Sequence, residues 1–289
     1  MNVVPIADVD PAAIRRLCER ALVHELDAAR LPALIERRGH VGLVALDDEG
    51  DGAPMGVCFV SGAGTDGFVD LIAVDPDRRR RRVASQLLWD AEYALREELG
   101  CTIVRATGHP PFYAWPGVDV RYTAALGLFE WHGYHRSGEV VNMSISLEGL
   151  DLDVELPPGL EIRRARPQDG PALTDAIARS WTEDDWSAEI AAAFEIEDAG
   201  VHLAVENGAI VGFAVYGITH PNVGGPIGVW PQARGRDVGL ALMKRCMSDV
   251  RDSGILAGEF LWVGPIAYFS KHVGATINRV FWIYEKPLG

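Results

Sequence analysis

The sequence predicts an α+β protein made of two successive units of one plan, and three observations carry that reading. Val74-Asp75-Pro76-Asp77-Arg78-Arg79-Arg80-Arg81-Arg82-Val83-Ala84, followed by Leu87-Leu88, aligns without a gap on Val229-Trp230-Pro231-Gln232-Ala233-Arg234-Gly235-Arg236-Asp237-Val238-Gly239, followed by Leu242-Met243, at an offset of 155 positions. Helix and hairpin signals run in the same order around each copy. Residues 150–159, acidic and carrying Pro157-Pro158-Gly159, read as an exposed joint. The predicted boundaries are therefore 1–149 for the first unit, 150–159 for the linker and 160–289 for the second. A chain of 289 residues allows each unit its own core.

In the second half, residues 160–165 alternate as a strand, and Pro167-Gln168-Asp169 supplies a turn and a helix start. Helical spacing follows over 170–182 and 187–198. Strands over 201–206 and 210–217 flank Asn207-Gly208, a hairpin signal. A Gly/Pro-rich stretch at 221–226 enters a strand ending at Val229, followed by a helix over 237–252, a strand over 256–262, a helix over 266–273 and a last strand over 277–284. The first half repeats this order with helices at 11–20 and 27–38, hairpin arms at 41–46 and 55–60, and a strand at 68–74. A helix at 83–98, a strand at 102–106, a helix at 121–132 and a closing strand near 139–147 complete it. The first half has a surplus aromatic and proline-rich segment at 108–119, which includes Phe112, Tyr113 and Trp115 and reads as a functional or interface loop.

With 48% hydrophobic and 24% charged residues the composition is that of a globular protein, and the net charge of −14 argues against nucleic acid or an anionic membrane as partner. No apolar run reaches the roughly 18 residues of a membrane span, and no signal pattern opens the chain, so the cytoplasm is the expected location. Cys18, Cys58, Cys101 and Cys246 lack metal-type spacing, so neither a metal site nor a disulfide is expected.

Each copy of the repeat reads as strand, loop of backbone N–H groups and helix N-terminus, which is an anion site. Taken with the helix Leu128-Phe129-Glu130-Trp131-His132-Gly133-Tyr134 and its counterpart Tyr268-Phe269-Ser270-Lys271-His272-Val273-Gly274, these features resemble the GNAT superfamily of acetyl-CoA-dependent N-acetyltransferases, specifically members with two units in tandem. The family loop, Arg/Gln-x-x-Gly-x-Gly/Ala, is matched at its ends by Arg79-Arg80-Arg81-Arg82-Val83-Ala84 and by Arg234-Gly235-Arg236-Asp237-Val238-Gly239. Its fourth position departs in both halves. The resemblance implies mostly antiparallel sheets splayed at the cofactor strand, acetyl-CoA as co-substrate, and pantetheine pairing near Val74 or Val229. It implies acetyl transfer to a small primary amine such as an amino sugar, an aminoglycoside-like compound or an amino-acid derivative, by a monomer or homodimer.

For the proton transfers, Asp70 lies four residues before Val74, on the face of Phe68 and Ile72 by strand period, whereas Gly225 stands at the matching place. The family's acid tyrosine aligns with Phe129 and with Phe269 or Ser270, which leaves Tyr268 and Tyr122 one or more positions away. His220 precedes a proline in the loop entering the strand, and Trp181 and Trp186 are candidate pocket walls. Because Arg234, Gly235 and Gly239 keep more of the family loop, the sequence points to cofactor binding and chemistry in the second half, with water ordered by His220 or by a first-half group as relay. The first loop, through Arg79, Arg81, Arg82 and Ala84, still offers a phosphate site. Two other readings stay open: a non-catalytic acyl-CoA-binding or interaction module, and an acyltransferase for longer acyl-CoA.

Overall fold

The computed structural model describes residues 1–25, 27–36, 41–48, 52–182 and 186–289. The chain divides into two compact units, Met1–Val140 with Val280–Gly289, and Val141–Arg279. Its elements in order are β1 (Asn2–Pro5), α1 (Pro11–Ala21), α2 (Leu31–Glu36), β2 (Val41–Leu46), β3 (Pro54–Ala63), β4 (Asp66–Val74), α3 (Val83–Glu97), β5 (Ile103–Ala106), β6 (Val118–Asp119), α4 (Thr123–Trp131) and β7 (His135–Ser146). There follow β8 (Leu160–Arg164), α5 (Gly170–Ser180), α6 (Trp186–Ala193), β9 (Gly200–Glu206), β10 (Ala209–Tyr216), β11 (Val223–Val229), α7 (Val238–Asp252), β12 (Ala257–Phe260), α8 (Ile266–Val273) and β13 (Thr276–Pro287). The end of the expected helix over 27–38, at residues 37 and 38, lies outside the described residues.

In the first unit β1 to β4 form an antiparallel meander, β5 joins β4 in parallel, and residues 284–287 of β13 pair antiparallel with β5. β3 and β4 are joined by the tight turn Gly64-Thr65, whereas α1 and α2 lie between β1 and β2. α1 begins at Asp10, whose carboxylate accepts from the Ala12 N–H, with Pro11 in the first turn. It buries Ile14, Leu17, Cys18 and Ala21 against Phe59, Leu71 and Ala73 on one face of the sheet. α3 carries Val83, Leu87, Leu88, Ala91 and Leu95 at helical spacing and buries them with Cys58, Val60 and Val69 on the other face. Removing one such leucine, Leu87→Ala, costs roughly 2–5 kcal/mol. The second unit repeats the plan: β8 to β11 are antiparallel, β12 joins β11 in parallel, and residues 143–146 of β7 pair antiparallel with β12. α7 covers its core through Val238, Leu242, Met243, Cys246 and Met247.

The closing strands depart from the sequence reading. The strand expected to end the first unit supplies Met143, Ile145 and Leu147 to the core of the second, and the last strand of the chain supplies Phe281 and Tyr284, both 0% exposed, to the first. Tyr284 stacks on Phe129 at 6.0 Å and donates to Glu130 at 2.8 Å. Both strands are apolar on alternate positions, so pattern alone does not choose their partners. All four cysteines are free and buried.

Candidate active site

β4 and β5 pair only at Asp66–Phe68 with Ile103–Arg105. Beyond Phe68 they part, so the β5-facing edge of β4 from Val69 to Ala73 is left without a strand partner among the described residues. The gap opens into a cleft of about 880 Å³, lined by Val69 to Val74, by Arg78, Arg79, Arg80, Arg82, Val83, Ala84 and Ser85, and by Ala21 to His24. Thr107, Trp115, Asp119, Arg121, Tyr122, Leu128 and Trp131 line it from the other side.

A β-bulge sits in this edge. Val60 pairs with Val69 and Phe59 with Leu71, which leaves Asp70 as the extra residue. The bulge breaks the strand period, so Val69 and Ile72, three apart, both pack on the α3 side. The expectation that Asp70 shares a face with both Phe68 and Ile72 is thereby corrected. Asp70 is only 3% exposed, yet it lines the cleft, and its charge adds to the burial that pushes the Cys58 thiol up. A buried carboxylate in a cleft is the kind of group that takes a proton from a bound amine.

The loop after β4 has the backbone shape of an anion cradle. Arg80 and Arg82 both have φ 63°, in the left-handed region that side chains rarely enter, and such turns aim successive N–H groups inward at the first turn of α3. The arginines divide their work. Arg78 pairs with Asp47 at 2.7 Å, and Arg79 donates to the carbonyls of Val74 and Ala21, each at 3.3 Å, so these two brace the loop. Arg80, Arg81 and Arg82 are exposed and form no ion pair among the described residues. Arg81 does not line the cleft, which Arg80 and Arg82 do. A free strand edge, inward N–H groups and uncommitted guanidinium groups fit a pantetheine arm and its pyrophosphate.

The second unit has the same backbone with different chemistry. Arg234 donates to Val229 O at 3.0 Å, as Arg79 does to Val74, and Gly235 (φ 72°) and Asp237 (φ 55°) occupy the positions of Arg80 and Arg82. Between Ala214–Ile227 and Tyr216–Gly224 the register slips by one residue, which places the matching bulge at Gly225 and Pro226. Glycine there offers no carboxylate and proline no N–H. Arg236 is held by Glu206 through two bonds of 3.0 and 2.6 Å, so it is spent within the protein. The hydroxyl of Tyr268 stands 3.6 Å from where a Cβ on Gly239 would be, over the start of α7, and burial followed by the nearby Asp237 pushes its phenol up. Trp181 packs edge-to-face with Phe213 at 5.5 Å and Trp230 at 5.0 Å, beside Gly228, where a Cβ would meet Phe213 at 2.4 Å. Trp181 and Trp186 are thus packing residues of the second unit, while its loop residues Val229, Arg234, Arg236 and Val238 keep only the backbone plan.

The predicted site residues separate accordingly. Val74, Arg79, Arg80, Arg82, Val83 and Ala84 meet Asp70 in one cleft, whereas Tyr268 and His220 belong to the second unit. His220 caps the turn into β11, its carbonyl accepting from Val223 N–H at 3.0 Å. Phe129 is a core residue at 2% exposure, and Tyr122 lies at the cleft with its hydroxyl accepting from His24 N–H at 3.1 Å. The sequence reading missed Asp119, whose carboxylate takes a bidentate bond from Arg121 at 3.0 and 2.7 Å, and the pair Ser85 and His132, with Oγ and Nε2 3.0 Å apart. Their spacing carries no recognisable motif.

Two splayed sheets, each with a bulged strand leading to an anion loop and a helix, define an acyltransferase architecture. The chain belongs to the acetyltransferase (GNAT) family, whose profile matches residues 12–115 and 170–265. A search of curated protein sequences finds no match. Among solved structures, the chain is similar to a fungal multi-domain GH3 β-N-acetylglucosaminidase with a GCN5-related glucosamine N-acetyltransferase region, at TM-score 0.81 and 17% identity over 99% of this chain and 38% of that one. It therefore spans well under two thirds of that protein. A GCN5-related N-acetyltransferase from Sphaerobacter thermophilus matches at TM-score 0.74 and 22% identity, covering 99% of this chain and 95% of that one. A tandem GNAT protein from the clavulanic acid biosynthesis pathway matches at TM-score 0.75 and 19% identity, covering 100% and 98%. No helix among the described residues is long and apolar enough to cross a membrane, and no cluster of three or more His, Cys, Asp or Glu among them could hold a metal.

Proposed function

We propose that this acyltransferase moves the acetyl group of acetyl-CoA to the primary amine of a small molecule, and that the reaction takes place in the cleft of the first unit. The observation that carries this is the buried Asp70, set by a bulge into the free edge of β4, in the same cleft as the arginine loop. Acetyl-CoA would supply an activated carbonyl on a thiol leaving group. Amides of the β4 edge would align it and polarise its carbonyl. Asp70 takes the proton of the amine, directly or through one water, as nitrogen bonds to the carbonyl carbon and the carbon–sulfur bond breaks. The thiolate departs without a dedicated strong acid, since a thiol of pKa near 8.5 is an adequate leaving group.

The assignment reverses the expectation from loop pattern, which favoured the second half. Glycine content describes how easily a loop turns, but the first unit makes the same turn with arginines and keeps their charge for a ligand. The second unit spends Arg236 on Glu206 and places Pro226 where an amide is wanted. It serves as a structural partner on this reading. An amino sugar as acceptor is supported by the glucosamine N-acetyltransferase region of the fungal relative.

The test is thiol release from acetyl-CoA over a panel of amines including amino sugars and amino acids. The native chain is expected to turn over at least one amine, and Asp70→Asn to lose about a hundredfold or more while its CoA affinity stays within about threefold. Turnover within about threefold in Asp70→Asn would place the chemistry elsewhere.

A further inference from the structure

We propose that Trp131 is the platform on which the adenine ring of CoA stacks, an inference that rests on the first-unit reading above. Trp131 is the last residue of α4 and is 87% exposed, more than any other large apolar side chain among the described residues. No ring of a described residue stacks on it. An indole left in water on a helix that buries Leu126 and Phe129 on its other side contributes nothing to the core. It does line the cleft, beside Leu128 of the same helix and Arg82, Ala84 and Ser85 of the anion loop and α3.

The next residue fixes where along the cleft it stands. His132 Nε2 lies 3.0 Å from Ser85 Oγ in the first turn of α3, which ties the end of α4 to the phosphate cradle. Burial pushes the imidazole of His132 down, so it serves as a neutral hydrogen-bonding link there. Trp131 is therefore placed at the side of the cleft that Ser85 and the first turn of α3 line. A ligand anchored by its pyrophosphate at the arginines carries its thioester arm along β4 and its nucleoside toward that side. Every purine has a π face, and an exposed indole beside guanidinium groups is suited to receive it. The consequence is a preference for thioesters that carry a nucleotide over pantetheine alone.

The test is calorimetric titration of the full chain with CoA and with pantetheine, for the native protein, Trp131→Ala and Trp131→Phe. Trp131→Ala is expected to weaken CoA about tenfold and leave pantetheine unchanged, with Trp131→Phe recovering most of the loss. The quenching of intrinsic fluorescence by CoA is expected to shrink in Trp131→Ala. Native binding of CoA with Trp131→Ala within about twofold overturns this inference alone, as does an equal loss for CoA and pantetheine. A native chain that binds no CoA overturns the first-unit reading as well.

Discussion

Asp70 and Gly225 occupy the same place in two copies of one strand, and the difference between them decides what each bulge can do. The extra residue of a bulge is released from the ladder, so its side chain is free to be re-aimed. With aspartate that freedom sets a carboxylate in a cleft, and with glycine followed by Pro226 it leaves neither carboxylate nor amide. The loop arginines divide on the same logic. Arg80→Ala together with Arg82→Ala is expected to raise the Kd for CoA at least tenfold, because charge-assisted bonds to phosphate contribute about 1.5–3 kcal/mol each. The same change is expected to flatten the salt dependence of binding, and calorimetry at two ionic strengths checks both. Legibility at this scale was uneven. The loop residues could be picked out because they recur at a fixed offset, and Asp70 because it stands four residues before Val74, whereas the role of Asp70 could not be weighed, since a bulge leaves no trace in residue order. Trp131 lies inside the helix motif 128–134, whose pattern does not distinguish an exposed position from a buried one.

At the scale of elements, helices and hairpins were readable because their periods and turn residues are local. Asn207-Gly208 sits in its hairpin, and Asp10, Pro11 and Pro167-Gln168-Asp169 mark real helix starts. The two-residue β6 was not readable, being shorter than any pattern, and β1, Asn2-Val3-Val4-Pro5, has no alternation to mark it. The turn before α5 also makes a prediction. Asp169 accepts from both terminal nitrogens of Arg163 at 2.8 and 2.9 Å and from Arg166 N–H at 2.8 Å, which holds its carboxyl down at about 2. A depressed carboxyl stabilises the fold fully above its ordinary value of 3.8 and loses that contribution as pH falls toward about 2. Asp169→Asn is expected to cost about 1 kcal/mol at neutral pH, since the pair is partly solvated, and to remove part of the acid sensitivity below about pH 4. Thermal melts followed from neutral pH into acid check both. An unchanged acid limb would mean that the turn does not contribute.

At the scale of the whole molecule, the chain closes its two sheets with each other's sequence-adjacent strands. The repeat made two units legible, but not this exchange, because residues 139–147 and 277–284 are equally good closing strands by pattern. It is settled by long-range packing, in which Tyr284 joins the first unit's core. Ending the chain at Arg279 is thus expected to abolish CoA binding and blunt the cooperative melt of the first unit, although the missing residues lie outside the cleft lining. Circular dichroism and calorimetry on the truncated chain check this, and native CoA affinity without residues 280–289 would refute the role of the exchanged strand. On the first-unit reading, one of the two matching loops is the working one. Titration of CoA into the native chain and into Ala84→Leu and Gly239→Leu, each confirmed folded by circular dichroism, decides which. One site per chain is expected, lost in Ala84→Leu and kept within about twofold in Gly239→Leu. A site lost in Gly239→Leu and kept in Ala84→Leu would contradict that reading and return the chemistry to the second unit.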